Sequence, residues 1–322
     1  MFQQLSEFLE NIPFFGSTAF GVIAMVIVGG SWCLVGLVMG DAPKKGVEAS
    51  LVQLFGAAFS VAVSLIILFA TSAYSTASIS ATFLTCLAYF VGCMLNFVML
   101  QLMSQAMQCG PNGIVWAIIQ SALVFPFLGG ILFFGVDFTL LRGIGISLLL
   151  IALVLFALAR NNRRKSGGRW KLLAFAGLAI TAVQQNLTTM PSYFEAARGV
   201  PSILRALSAS AGTLAMGVLW ELFRPGGARW ERLKNGIKNP LLWKYVAALQ
   251  FFSLLFAYTL FYPGMNVMAR AGLGGMCYPM MVGSCIVSFT LSSIWLLREK
   301  VSRIQLAALA ICIAGLVLIC TK

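Results

Sequence analysis

Hydrophobic runs of membrane-crossing length recur from Phe14 almost to the C-terminus, divided by short polar interruptions. Measured against those interruptions, the chain predicts helices near 16–39, 51–73, 80–107, 112–135 and 140–160. A second set is predicted near 170–190, 203–223, 242–262, 272–296 and 303–321. Roughly 20 apolar residues cross the hydrocarbon core of a bilayer, so every run reaches spanning length. The expected fold class is therefore an all-α integral membrane protein with ten transmembrane helices. The least sharp division lies around 185–205, where TTMPSYFEAARGVPS contains two prolines and is expected to form a re-entrant or interfacial turn. At the N-terminus, MFQQLSEFLENIPFF carries Glu7 and Glu10 and no basic residue, unlike a cleaved signal peptide, and is expected to remain as an amphipathic lead-in.

Composition agrees with a lipid solvent. Of 322 residues 60% are hydrophobic and only 10% charged, with a mean hydropathy of +0.93, whereas soluble domains carry about a quarter charged residues. The net charge of +13 is scattered over short loops and forms no basic stripe, so nucleic acid is not an expected partner. The eight cysteines lie mostly inside apolar runs, form no CxxC and read as small core hydrophobes. Histidine is absent from the sequence, which removes the commonest ligand of zinc and iron and the commonest acid–base group. No cofactor or metal is expected, and no enzymatic activity.

The basic residues sharpen this picture. Of the 22 Lys and Arg, 17 fall in alternate loops: Lys44 and Lys45; the group from Arg160 to Lys171; the group from Arg224 to Lys244; and Arg298, Lys300 and Arg303. The opposite side holds only Arg142, Arg198, Arg205, Arg270 and Lys322. Short cytoplasmic loops are enriched in Lys and Arg, so both termini are expected outside the cytoplasm.

An internal repeat is also legible. VDFTLLRGIGISLLLIALVLFA at 136–157 resembles REKVSRIQLAALAICIAGLVLI at 298–319, with Asp137 answering to Glu299 and Arg142 to Arg303. The expected organisation is a first five-helix repeat at 1–160, a basic cytoplasmic linker at 161–169 and a second repeat at 170–322. Five helices per repeat, an odd number, would insert the second copy upside down relative to the first. Inverted repeats of this kind suit alternating access around one midplane site. A generic duplicated bundle without transport is the bland alternative.

Two five-helix halves, each closing on an acidic turn and a small-residue-rich helix, resemble the drug/metabolite transporter superfamily. Four stretches resemble its L-rhamnose/proton symporter family: GDAPKKGVEAS, GCMLNFVMLQLMSQAMQCGPNGIVWAIIQ, FEAARGV and ALQFFSLLFAY. The resemblance implies a bacterial inner-membrane transporter of a small solute, a rhamnose-like monosaccharide first, with a proton as coupling ion. The chain departs from that family in its third helix, where Asn and Tyr give way mostly to Met, Leu and Gln. Exporters of amino acids or other metabolites belong to the same superfamily and stay open.

Polar groups at membrane depth are costly unless they face a cavity or a partner helix. The informative ones are amides: Asn96, Gln101 and Gln105; Asn112 and Gln120; Gln184, Gln185 and Asn186; Gln250; and Asn266. An amide both donates and accepts, which suits a neutral polyhydroxylated or zwitterionic solute better than a bare ion. Trp32, Trp116, Tyr258 and Tyr278 are aromatic candidates for stacking or gating, with core packing as the alternative. The expected substrate-binding set is Trp32, Asn96, Gln101, Trp116, Gln120, Gln184, Gln185, Asn186, Gln250 and Tyr258. Trp170, Trp230 and Trp243 sit beside basic loops and read as interfacial belt residues.

Proton coupling needs a titrating group near the cavity, and Glu195 and Glu221 are the nearest candidates. An i,i+3 ion pair with Arg224 is the plainer account of Glu221. The sequon at Asn186 lies inside an expected span, out of reach of glycosylation, and no phosphate-binding GxxxxGK[ST] loop occurs. An intramembrane lipid-linked transferase is a remote alternative, since it needs an acid–base or metal constellation that nine acidic residues and no histidine hardly supply.

Overall fold

The computed structural model describes residues 16–72, 74–110, 112–159, 168–224, 229–295 and 302–320. The described residues are mostly helical, joined by short turns and without a strand. In chain order the helices are α1 (Thr18–Ser31), α2 (Cys33–Asp41), α3 (Ala49–Thr71), α4 (Ile79–Cys109), α5 (Asn112–Gln120), α6 (Val124–Phe134), α7 (Leu140–Ala159) and α8 (Arg169–Thr189). They continue as α9 (Glu195–Arg198), α10 (Ser202–Phe223), α11 (Arg229–Lys238), α12 (Pro240–Phe256), α13 (Tyr262–Arg270), α14 (Cys277–Trp295) and α15 (Arg303–Cys320).

Local chemistry sets several of these ends. The Ser17 hydroxyl accepts the Phe20 amide at 3.2 Å to open α1, and Ser78 accepts the Ala81 amide at 3.3 Å to open α4. Asn239 caps α12 through the Leu241 amide at 2.9 Å, with Pro240 in the first turn, where its missing N–H costs nothing. Gly135 closes α6 at φ +64°, a left-handed turn that glycine tolerates best.

Every expected run is occupied by helix, but several are not simple rods. The first divides at Trp32, whose amide reaches back to both Val28 and Gly29 carbonyls. The fourth is interrupted by a 3₁₀ turn at Ser121–Leu123. The eighth is longer than expected, running from Pro240 to Arg270 through a π turn at Ala257–Phe261. Between α8 and α10 the expected re-entrant or interfacial turn is a 3₁₀ turn, Met190–Tyr193, followed by the single turn α9. The N-terminal lead-in, Arg163, Arg164, Glu299, Lys322 and nearly all of the 161–169 linker lie outside the described residues.

Among the described residues, six helical stretches combine spanning length with sufficient apolarity: Thr18–Lys45, Ala49–Thr71, Ile79–Cys109, Val115–Phe134, Ser202–Phe223 and Pro240–Arg270. The apolar helices Leu140–Leu155 and Arg303–Ile319 are shorter. Large apolar side chains such as Ile66, Phe69, Phe83, Leu132, Phe133 and Phe251 stand exposed on the outside of the bundle, the arrangement expected where the surroundings are lipid.

Numbering the rods 1 to 10 in chain order (α1–α2, α3, α4, α5–α6, α7, α8, α10, α12–α13, α14, α15), the main packing partners are 3 with 6 and 1 with 8; 3 with 7 and 2 with 8; 1 with 9 and 4 with 6; 4 with 5 and 9 with 10; and 2 with 7 and 5 with 10. The two sequence halves are thus interleaved, and most of each half's packing is against the other. Glycines permit the closest crossings. A Cβ on Gly29 would overlap the Met281 carbonyl, and one on Gly212 the Phe90 carbonyl.

Candidate functional site

A cavity of about 330 Å³ lies where α1, α2, α3, α4, α5, α8, α10, α12, the π turn, α13 and α14 converge. Its volume is in the range of small-molecule sites. Among the described residues its lining contains amides, hydroxyls, aromatics and aliphatics, with no Asp, Glu, Lys or Arg.

Seven of the ten expected binding residues line it: Trp32, Asn96, Trp116, Gln120, Gln184, Gln185 and Gln250. The break in α1–α2 sets the Trp32 ring 5.9 Å from the Tyr278 ring, and Tyr278 also lines the cavity. Trp116 packs over Gly36, where a Cβ would come within 3.2 Å of the indole. Gln250 accepts a hydrogen bond from Ser60 on α3, which fixes its amide. The Gln185 side-chain oxygen is buried and has no hydrogen-bond partner, as has that of Gln53. Both residues line the cavity, so two unsatisfied acceptors lie buried in its wall.

Three expected residues stand elsewhere. Gln101 is buried on α4 but faces a separate recess with Ser50, Ser104, Gln105, Gln108 and Trp220. Asn186 turns its amide back to the Ala182 carbonyl at 2.8 Å and lies against Gly129 on α6. Tyr258 falls in the π turn, where a widened register presents Ala257 and Phe261 to the cavity while its own hydroxyl meets Ser64 at 2.6 Å.

Neither coupling candidate reaches the cavity. Glu195 is exposed on α9, 3.6 Å from Arg198. Glu221 is buried at the far end of α10, where Arg232 donates to it at 2.6 Å and Ser50 at 3.2 Å. Arg224 lies 3.8 Å away and pairs with Glu48. The dominant partner of Glu221 is therefore Arg232, eleven residues on, and the i,i+3 contact is secondary. One further correction concerns Trp170, expected at the interface but buried against Gly110; Arg205, counted among the few basic residues of the other side and within the expected seventh helix, is fully buried at the start of α10.

Sequence reasoning missed Tyr89, Tyr262, Thr181, Thr188, Ser60 and Gln53, all of which line the cavity. Tyr89 and Tyr262 stack edge to face with centroids 5.0 Å apart. The i, i+3/i+4/i+7 spacing Thr181, Gln184, Gln185, Thr188 was visible in the sequence and marks one helix face.

No family model and no curated protein matches this chain. One solved structure, described only as "Crystal structure of protein", is similar in fold, with a TM-score of 0.59 at 14% identity over 94% of this chain and 95% of its own. At that identity the likeness speaks for the fold alone.

Proposed function

We propose that this protein is a secondary transporter that moves a small polar solute across a membrane by alternating access, with a rhamnose-like monosaccharide as the first substrate to test. The observation that carries the reading is the convergence of five amides foreseen from the sequence, Asn96, Gln120, Gln184, Gln185 and Gln250, with the indoles of Trp32 and Trp116 on one cavity. Amides meet hydroxyls as donor and acceptor, and aromatic faces meet the C–H face of a sugar ring.

The packing pattern supports two inverted five-helix repeats in a ten-span protein. Exchanging each rod with the one five positions on converts 3–6 into 8–1, 3–7 into 8–2, 1–9 into 6–4 and 4–5 into 9–10, and returns 2–7 and 5–10 to themselves. The 5–10 crossing is itself reciprocal: a Cβ on Gly145 would lie 2.8 Å from the Gly315 carbonyl oxygen, and one on Gly315 2.8 Å from that of Gly145. The partition of Lys and Arg supports an inner-membrane orientation with both termini outside the cytoplasm.

The uncharged lining favours a neutral solute over the amino acids or amines of the exporter reading, since a buried ionic group requires a countercharge. It also favours a second reading of the energetics. The family resemblance makes the proton the first co-ion to test, but with no acidic residue among the described lining, uncoupled facilitated movement is the alternative this observation supports.

Uptake of radiolabelled rhamnose and related sugars into proteoliposomes, with and without a pH gradient, tests both points. Uptake above empty liposomes is expected, and uptake equal to empty liposomes for every sugar overturns the sugar reading. Thermal-shift screening across sugars, amino acids and amines separates the exporter alternative.

A further inference from the structure

Arg205 is fully buried in the first turn of α10. Its Nε donates to the Val200 carbonyl at 3.1 Å, one Nη to the Ala197 carbonyl at 2.7 Å and the other to Asn266 Oδ1 at 3.0 Å. Two of these acceptors belong to the segment between α8 and α10, and the third sits on α13. That segment is tied again through the Gly199 carbonyl, which accepts from the Thr76 amide at 3.1 Å. Tyr89 stands beside the guanidinium. Tyr89, Tyr262 and Ala206 all line the cavity, so Arg205 lies directly behind one end of it.

The choice of residue is costly. Burying a guanidinium requires compensation, the start of a helix is the end least favourable to a cation, and no described acidic side chain pairs with Arg205. A neutral amide could hold loop carbonyls with less penalty. The charge gains a purpose if the segment moves: lifting it breaks the two hydrogen bonds to Ala197 and Val200 but opens the guanidinium to water, so hydration of the open arrangement offsets what the closed one loses. A neutral pin has no such compensation and would favour closure alone.

We propose that Arg205 is the latch of a gate formed by residues 194–201 at that end of the cavity, closed by its bonds to Ala197, Val200 and Asn266 and opened with its own rehydration. The proposal rests on the transporter reading for its purpose, but its test requires no substrate. In a variant whose only cysteine is Cys93, a cavity-lining residue, reaction with a membrane-impermeant thiol reagent added from the side bearing residues 194–201 reports opening.

Arg205→Lys keeps the charge and loses the forked geometry, and should raise the Cys93 rate about fivefold, the effect of one lost hydrogen bond. Asn266→Ala removes one acceptor, leaves Arg205 in place and should act in the same direction. Arg205→Gln keeps amide donors for the loop carbonyls with little to rehydrate, and should lower the rate by a similar factor. Opposite signs for Lys and Gln are the signature of the latch. A structural pin would loosen in both, so equal signs, or rates unchanged in folded Arg205→Lys and Asn266→Ala proteins, overturn the proposal. Sugar uptake absent with opposite signs present would reject the substrate reading and leave the latch standing.

Discussion

Thr188 on α8 and Tyr278 on α14, ninety positions apart, share a hydrogen bond of 2.5 Å at the cavity wall. The same tyrosine ring faces Trp32 at the break between α1 and α2, so one side chain ties three rods around the site. Tyr278→Phe should therefore weaken solute binding and lower stability by about 1 kcal/mol, the usual net worth of a buried hydrogen bond. Tyr258→Phe breaks the equivalent bond to Ser64 away from the cavity, and should cost similar stability with KM unchanged. Melting curves beside uptake kinetics distinguish the two, and equal KM shifts would remove Tyr278 from the site.

The amides give a sharper contrast. Gln184 and Gln185 line the cavity, whereas Asn186, the next residue, bonds its own helix at Ala182. Gln185→Leu or Gln120→Leu should raise KM about tenfold, corresponding to one lost polar contact of about 1.4 kcal/mol. Asn186→Leu should leave KM within about twofold, because its amide is already satisfied within α8. Initial uptake rates across a concentration series decide.

These contrasts also show what was legible in the sequence. Hydrophobic run length located the helices, because twenty apolar residues leave the backbone no cheaper arrangement in lipid. Which face each amide takes depends on register at breaks: the Gly29–Gly30 pair marks the division at Trp32, but no such pair marks the 3₁₀ turn Ser121–Leu123 or the π turn Ala257–Phe261, and each break rotates the helix C-terminal to it. Tyr258 was misplaced for that reason. The burial of Arg205 was not legible, because only the fold brings three acceptors from two segments around it.

Glu221 and Glu195 were candidates for coupling, and their surroundings assign them other work. Glu221→Gln should leave the pH profile of transport unchanged while lowering stability by about 1–2 kcal/mol, since it strands the Arg232 guanidinium that bonds it at 2.6 Å. Glu195→Gln, at a side chain 93% exposed, should change neither. A pH–rate profile measured in both variants, with thermal melts alongside, checks this. Loss of a pH-gradient response in either would restore that carboxylate as the coupling group.

The crossing of α7 and α15 sets a final expectation, because Gly145 and Gly315 contact each other's carbonyls and each leaves room for the other. A methyl on Gly145 would stand 2.8 Å from the Gly315 carbonyl oxygen and equally close to Ile319 Cγ1, so the helices must separate to admit it. Gly145→Ala and Gly315→Ala should each destabilise by about 1–3 kcal/mol, the cost of overpacking a tight contact. The double variant should cost less than the sum, since a pair already forced apart accepts the second methyl more cheaply. Gly40→Ala, with nothing within 4 Å of the added Cβ, serves as the neutral reference. Melting in detergent measures all four proteins. Full additivity of the two glycine variants would mean that the helices do not meet through this pair.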